Sequence, residues 1–206
     1  MKRRQGLVLG SLIAMTAGCT SAPIHYHTLV PAPAVSATAQ RPSSYRIEIA
    51  TVRIPAQVDR LELVVRQHDG EMKLLEDERW IAPLADELRS ALSVELLRRL
   101  SLAEAQDPHR DLGPISVRVD IDRFESAPGD YALVEASWSL RVNSSVRHHD
   151  TVVCRTLAYE RVREGTSALV RAQQHAIALI ADEIATTALQ STPDNAFVCP
   201  MSGDLR

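Results

Sequence analysis

Between Ile115 and Val142 apolar and polar residues alternate almost without a break. Ile115, Val117, Val119 and Ile121 interleave with Ser116, Arg118, Asp120 and Asp122. After Pro128-Gly129-Asp130 the pattern resumes with Ala132, Val134, Ala136, Trp138, Leu140 and Val142. A period of two marks a strand with one buried face, so the segment predicts two strands joined by a turn. Thr151 to Glu160, beyond a polar connection at 147–150, predicts a third and completes an antiparallel meander.

Upstream, Tyr45 to Ile54 alternates twice in opposite phase: Ile47 and Ile49 on one side, then Val52 and Ile54. The change of phase near Ala50-Thr51 is what a β-bulge produces. Pro55 stops this strand. Leu61, Leu63 and Val65 carry the next one, and His68-Asp69-Gly70 turns the chain, Asp-Gly being a favoured two-residue hairpin pair. Met72 to Leu75 is the returning arm.

Two segments change to a period of 3.6. Leu84, Leu88, Ala91, Leu92, Leu96 and Leu100 form one helical stripe, with Pro83 at the first helical position. Asp86 and Glu87 in its first turn and Arg98 and Arg99 in its last complement the helix dipole. Leu169, Ala172, Ala176, Ile180 and Ile184 form the second stripe, from a Thr166 cap to about Gln190. The order is βββα-βββα over residues 45–190. It predicts an α+β domain of two layers, both helices on one face of a mostly antiparallel sheet. Residues 191–206, with Pro193, Pro200 and Gly203, predict a loose tail.

The N-terminus follows neither pattern. Lys2, Arg3 and Arg4 precede the apolar run Gly6 to Ala17, and Thr16-Ala17-Gly18 closes it before Cys19. A basic head, a short apolar run and small residues make a secretory signal, too short for a bilayer span of roughly 20 residues. Cleavage before a cysteine resembles the bacterial lipoprotein signal, with residues 1–18 removed. That resemblance implies a mature N-terminus at Cys19 bearing S-diacylglycerol and an N-linked, palmitate-like acyl chain. Thr16 stands three places before the cysteine, where the resemblance favours Leu. Thr20, where Asp commonly signals inner-membrane retention, implies the outer membrane, periplasmic face. Several acyl chains anchor a protein that one chain holds only marginally.

Residues 19–44 then predict an anchor and tether. Pro31, Pro33 and Pro42 among Ala, Ser and Thr disfavour folding, and an extended stretch of this kind reaches about 40 Å. Within it, 24–29 alternates as a short strand would.

At 206 residues, 45% of them hydrophobic, one domain with a substantial core fits. The formal charge of −3 becomes −6 once the three leader cations are removed, which argues against nucleic acid as a partner. In an oxidising compartment Cys154 and Cys199 read either as a disulfide or as two separate thiols, because spacing alone does not fix pairing.

Catalytic motifs are missing: there is no G-x-S-x-G, no H-E-x-x-H, no C-x-x-C and no phosphate-cradling glycine loop. His25-x-His27 lacks a third ligand, and His148-His149-Asp150 reads as a solvated turn. Asp120 and Asp122 share a strand face opposite the core, so they read as a solvated pair. No metal, no cofactor beyond the covalent lipid, and no enzyme are expected.

Val52-Arg53-Ile54-Pro55-Ala56-Gln57-Val58-Asp59-Arg60, followed by Glu78-Arg79-Trp80-Ile81-Ala82-Pro83-Leu84 and the leucine-striped helix, resembles the PqiC family. These are auxiliary lipoproteins of ABC-type intermembrane transport systems. The Tyr26-His27-Thr28-Leu29 opening and Glu135-Ala136-Ser137-Trp138 are similar too, and the resemblance spans roughly 24–190. Gln57-Val58 and Leu61 depart from it, standing where the family often has Tyr-Leu and Pro. It implies a non-catalytic subunit that docks on an MCE-type protein bridging the periplasm, with an inner-membrane permease and ATPase behind it. Such systems move lipid between membranes and maintain the envelope. Pro55, Asp59, Arg60, Arg79, Trp80 and Pro83 become candidate docking residues, a Trp beside an Arg being a common interface anchor. The local alternative is punctuation by the prolines and a core position for Trp80. Three rivals stay open: a lipoprotein that activates another envelope machine, a periplasmic hydrolase, and a domain carrying lipid in its own cavity. Homo-oligomeric ring assembly is a further expectation for a subunit docking on a symmetric partner.

Overall fold

The computed structural model describes residues 22–32, 46–107, 114–142, 151–190 and 198–199. In chain order these form β1 (His25–His27), β2 (Ile47–Arg53), a 3₁₀ turn (Ala56–Val58), β3 (Glu62–Arg66) and β4 (Met72–Trp80). Then come α1 (Leu84–Gln106), β5 (Ile115–Ala127), β6 (Tyr131–Val142), β7 (Thr151–Arg161) and α2 (Thr166–Gln190). The class is α+β.

The strands divide into two mixed sheets, β2-β5-β6-β7 and β1-β4-β3. The predicted meander β5-β6-β7 is antiparallel throughout. What periodicity did not show is that β2 runs parallel to β5 and β1 parallel to β4. The β2 bulge sits where the phase change placed it, between Ile49 and Thr51. Its effect is to put Ile47, Ile49 and Val52 all beside inward residues of β5: Ile115, Val117 and Val119. A second register shift, between Ile121 and Arg123, carries β5 past Asp122 and turns Phe124 and Ser126 inward.

Both turns follow from glycine. Asp130 N–H donates to the Ala127 carbonyl at 3.0 Å across Pro128-Gly129, and Gly129 has φ 77°. Pro then Gly with positive φ is the type II requirement. At the other hairpin Gly70 has φ 86° and donates to the Gln67 carbonyl at 2.9 Å, while Gln67 and Glu71 pair. This is a three-residue loop closed by a left-handed glycine, one residue longer than the predicted Asp-Gly turn.

The core lies between the helices and the inward strand faces. Leu88, Leu92 and Leu96 of α1 and Ile177, Ile180 and Ile184 of α2 pack with Val117, Val119, Trp138 and Leu140. Three helix-end expectations change. Pro83 is the residue before the first turn of α1, and its carbonyl accepts from Glu87 N–H at 3.0 Å. Helix α1 continues to Gln106, so Arg98 and Arg99 are interior; Arg98 holds Glu95 at 2.7 Å and Arg99 reaches Asp182 of α2 at 2.8 Å. Thr166 is itself the first helical residue of α2.

Candidate functional site

The sequence-marked positions of the second half of the β2–α1 segment converge on one corner. Pro55 opens the 3₁₀ turn, its carbonyl accepting from Val58 N–H at 3.1 Å, and Asp59 and Arg60 follow, both exposed. Leu61 accepts at its carbonyl from Trp80 N–H at 2.8 Å, which brings this turn beside the end of β4. Arg79 lies on the solvent side of β4, 3.7 Å from Glu62, with its Nε donating to the Glu76 carbonyl at 3.3 Å. Pro83 starts α1 just beyond.

Trp80 points the other way. It is 2% exposed and stands edge-on to Phe124 with ring centroids 6.4 Å apart. The ring therefore packs the corner from inside, as the core reading of Trp80 expects. Of the corner's charged side chains, Asp59 and Arg60 are exposed and Arg79 is partly exposed.

Strand β1 brings the N-terminal segment into the same corner. His25, Tyr26 and His27 pair in parallel with Glu78, Arg79 and Trp80, and Ile81 N–H donates to the His27 carbonyl at 2.8 Å. Glu87 completes the attachment from α1. Its carboxylate accepts from Leu29 N–H at 2.8 Å and from Thr28 Oγ1 at 2.7 Å, and Leu29 is fully buried beneath. Gln174 of α2 donates to the Thr28 carbonyl at 2.9 Å. The proline-rich stretch therefore joins two strands of one fold, and its length does not separate the domain from Cys19. Sequence reasoning missed Glu87 as a clasp and read it only as a first-turn acid. The available signal was a carboxylate standing on the buried stripe between Leu84 and Leu88.

His27 bonds Glu78 across the β1–β4 ladder. His25, His27, Glu78 and Arg171 line an open cleft of about 390 Å³ against the Gly165–Ala168 start of α2. Among the described residues no group of three metal-ligating side chains converges. Asp120 and Asp122 lie on the outer face of the large sheet, bound to Arg53 at 3.4 Å and Arg155 at 3.8 Å, with Ser137 donating to Asp122 at 2.6 Å. They form a surface ion-pair lattice. The His148-His149-Asp150 segment and Cys19 lie outside the described residues. Cys154 of β7 is joined to Cys199 by a disulfide, Cα–Cα 5.5 Å, which ties the end of the chain to the edge of the large sheet.

The shifted acids are structural. Burial opposes ionisation of Glu95, but hydrogen bonds and charge from Arg98 and Arg99 outweigh it and hold the carboxyl below its usual range. Burial likewise opposes ionisation of Glu125, and Tyr131 and Arg123 reverse the balance. Glu183 goes up instead: burial dominates, Thr156 opposes it and Asp182 adds to it. Glu183 ends an inward chain in which Trp138 Nε1 donates to Thr156 Oγ1 at 2.9 Å and Thr156 bonds Glu183.

The fold defines a domain of the α+β class. The model of the ABC-type transport auxiliary lipoprotein component family matches residues 27–185. The chain belongs to that family. Its match begins at the last residue of β1 and ends within α2, spanning every element between them. No curated protein matches the chain. Among solved structures, a protein of uncharacterised function is similar at 16% identity and TM-score 0.58, over 80% of this chain and 98% of that one. A Xanthomonas campestris protein of a family without assigned function is similar at 17% identity and TM-score 0.47, over 81% and 95%. A lipoprotein described from Caulobacter crescentus is similar at 16% identity and TM-score 0.33, over 48% and 75%. The first of these shares the fold with this chain, and at 16% identity nothing beyond the fold. No helix among the described residues is long and apolar enough to cross a membrane.

Proposed function

We propose that this chain is a non-catalytic subunit of an intermembrane lipid transport system, held on the periplasmic face of the outer membrane by an acylated Cys19. It docks on a periplasm-spanning MCE-type partner, behind which stand the inner-membrane permease and ATPase, and so supports envelope integrity. The observation that carries this is the family match over residues 27–185. The leader ending at Cys19 supports it, as does a fold whose perturbed acids are each bound to structural partners rather than gathered at one site. The docking surface is the corner where Asp59, Arg60 and Arg79 surround the buried Trp80.

Co-purification from envelopes tests it. Wild-type chain should bring down an MCE-domain protein, and Asp59→Ala/Arg60→Ala/Arg79→Ala should weaken that recovery about tenfold, as loss of a few interface anchors does, with Tm near wild type. Recovery of a cell-wall synthase or an insertion complex instead, or full recovery by the triple variant, would contradict the assignment.

A further inference from the structure

Strand β4 is longer than what covers it. On one side it pairs with β3; on the other, β1 reaches only Glu78, Arg79 and Trp80. From Met72 to Asp77 that second edge has no strand beside it among the described residues. The hairpin register decides which backbone groups are left over. Gln67 N–H donates to the Glu71 carbonyl at 2.8 Å, so Gln67 and Glu71 are a hydrogen-bonded pair. In an antiparallel ladder such pairs alternate with pairs whose N–H and C=O groups turn outward. Along this register Val65 with Lys73 and Leu63 with Leu75 are bonded, whereas Arg66 with Met72 and Val64 with Leu74 are not. The amides and carbonyls of Met72 and Leu74 therefore face the open edge.

The side chains there have two characters. Met72 is 45% exposed and Leu74 41%, and two residues apart they share one face. Glu71, Glu76 and Asp77 are exposed as well, and none of them has an ion-pair partner among the described residues. The register shift between Glu62 and Leu63 leaves Glu76 and Asp77 opposite no β3 residue. Three carboxylates against the single ammonium of Lys73 make this stretch acidic. Two copies laid edge to edge would repel, and a lysine on an edge strand opposes the same pairing. A strand of opposite charge meets no such barrier, and unspent backbone groups on an extended edge accept one.

We infer that the Met72–Asp77 edge of β4 takes up an extended, basic segment of another polypeptide as a further strand. Main-chain hydrogen bonds at Met72 and Leu74 hold the segment. Its apolar side chains lie over theirs, and its Lys or Arg residues answer Glu71, Glu76 and Asp77. The added strand prolongs the small sheet alongside β1. This edge is separate from the corner of Asp59, Arg60 and Arg79 proposed above, so failure of either leaves the other intact.

Amide hydrogen exchange on the full chain tests it, with an acetylated, amidated peptide of alternating Lys and Val as the probe. At saturating peptide, exchange at Met72 and Leu74 should slow about tenfold or more, while Lys73 and Leu75, already bonded to β3, stay as they were. A peptide of alternating Glu and Val should give no protection. In Glu76→Lys/Asp77→Lys, which alters only exposed side chains, that preference should reverse. No slowing at Met72 and Leu74, equal slowing by both peptides, or a preference that survives the charge reversal would overturn the inference. Protection in the free chain that grows with its own concentration would give the edge to a second copy. Protection in the free chain at every concentration would give it to the residues preceding β1. Either result would overturn the basic partner.

Discussion

Glu87 shows how much one side chain decides. It is 4% exposed, and its carboxylate satisfies a buried backbone N–H at Leu29 that no ladder partner reaches. Glu87→Ala strands that donor, at a cost of about 1–3 kcal/mol. Equilibrium denaturation should show the loss, and amide exchange at 25–29 should rise more than elsewhere, because β1 loses its clasp while β4 keeps β3. A uniform rise would mean that Glu87 serves the helix rather than the strand. Trp80 gives the complementary lesson. Its neighbourhood was legible in the sequence, but its direction was not: Arg79-Trp80-Ile81 alternates on a strand, and only the crossing with β5 decides which face meets Phe124.

The titrating acids also belong to this scale. Glu95 is held below the usual carboxylate range by Arg98 and Arg99 once burial is outweighed, so its contribution is present above that range and lost as pH falls through the folded value. Glu183 has the opposite sign: its raised value favours folding at low pH and the benefit is lost as pH rises through it. A melting series against pH should therefore lose part of its acid-side fall in Glu95→Gln and should lose less stability toward neutral pH in Glu183→Gln. Superimposable profiles would contradict both assignments.

Among elements, the strongly periodic ones and the turn-linked antiparallel pairs were legible, and the parallel pairs were not. The stripes of α1 and α2 and the alternation of β5 and β6 are local facts, since each residue's face follows from its own neighbours. Strand direction is not local. Parallel pairing of β2 with β5 and of β1 with β4 depends on what crosses between them, and no residue count reveals it. Bulges hid element length: Asp122 looks like the end of β5 because the register shift there inverts the alternation that continues to Ala127. The disulfide sits at this scale too. It closes a segment with a sequence separation of 45, for which chain entropy gives up to about 4 kcal/mol. Cys199→Ser should lower stability by about 2–4 kcal/mol, and reductant should do the same to wild type but nothing to the variant. Equal sensitivity of both to reductant would place the stabilisation elsewhere.

At the scale of the whole molecule, the candidate site was half written in the sequence. Pro55, Asp59, Arg60, Arg79 and Pro83 do gather at one corner, because the β3–β4 hairpin folds the 3₁₀ turn back against the start of α1. What the sequence concealed was where β1 belongs. The alternation at 24–29 marks a short strand, but nothing local shows that it pairs with β4 and is part of the domain rather than of the tether. That changes the mechanical picture from a domain on a long leash to one held close to its anchor.

The anchor itself is the claim on which this picture turns, and mass spectrometry of the mature N-terminal peptide measures it directly. The account predicts a peptide beginning at Cys19 and carrying a diacylglycerol on sulfur and a further acyl chain on nitrogen, absent when Cys19→Ser is expressed. A peptide that still begins at Met1, or one that begins at an unmodified Cys19, would contradict it.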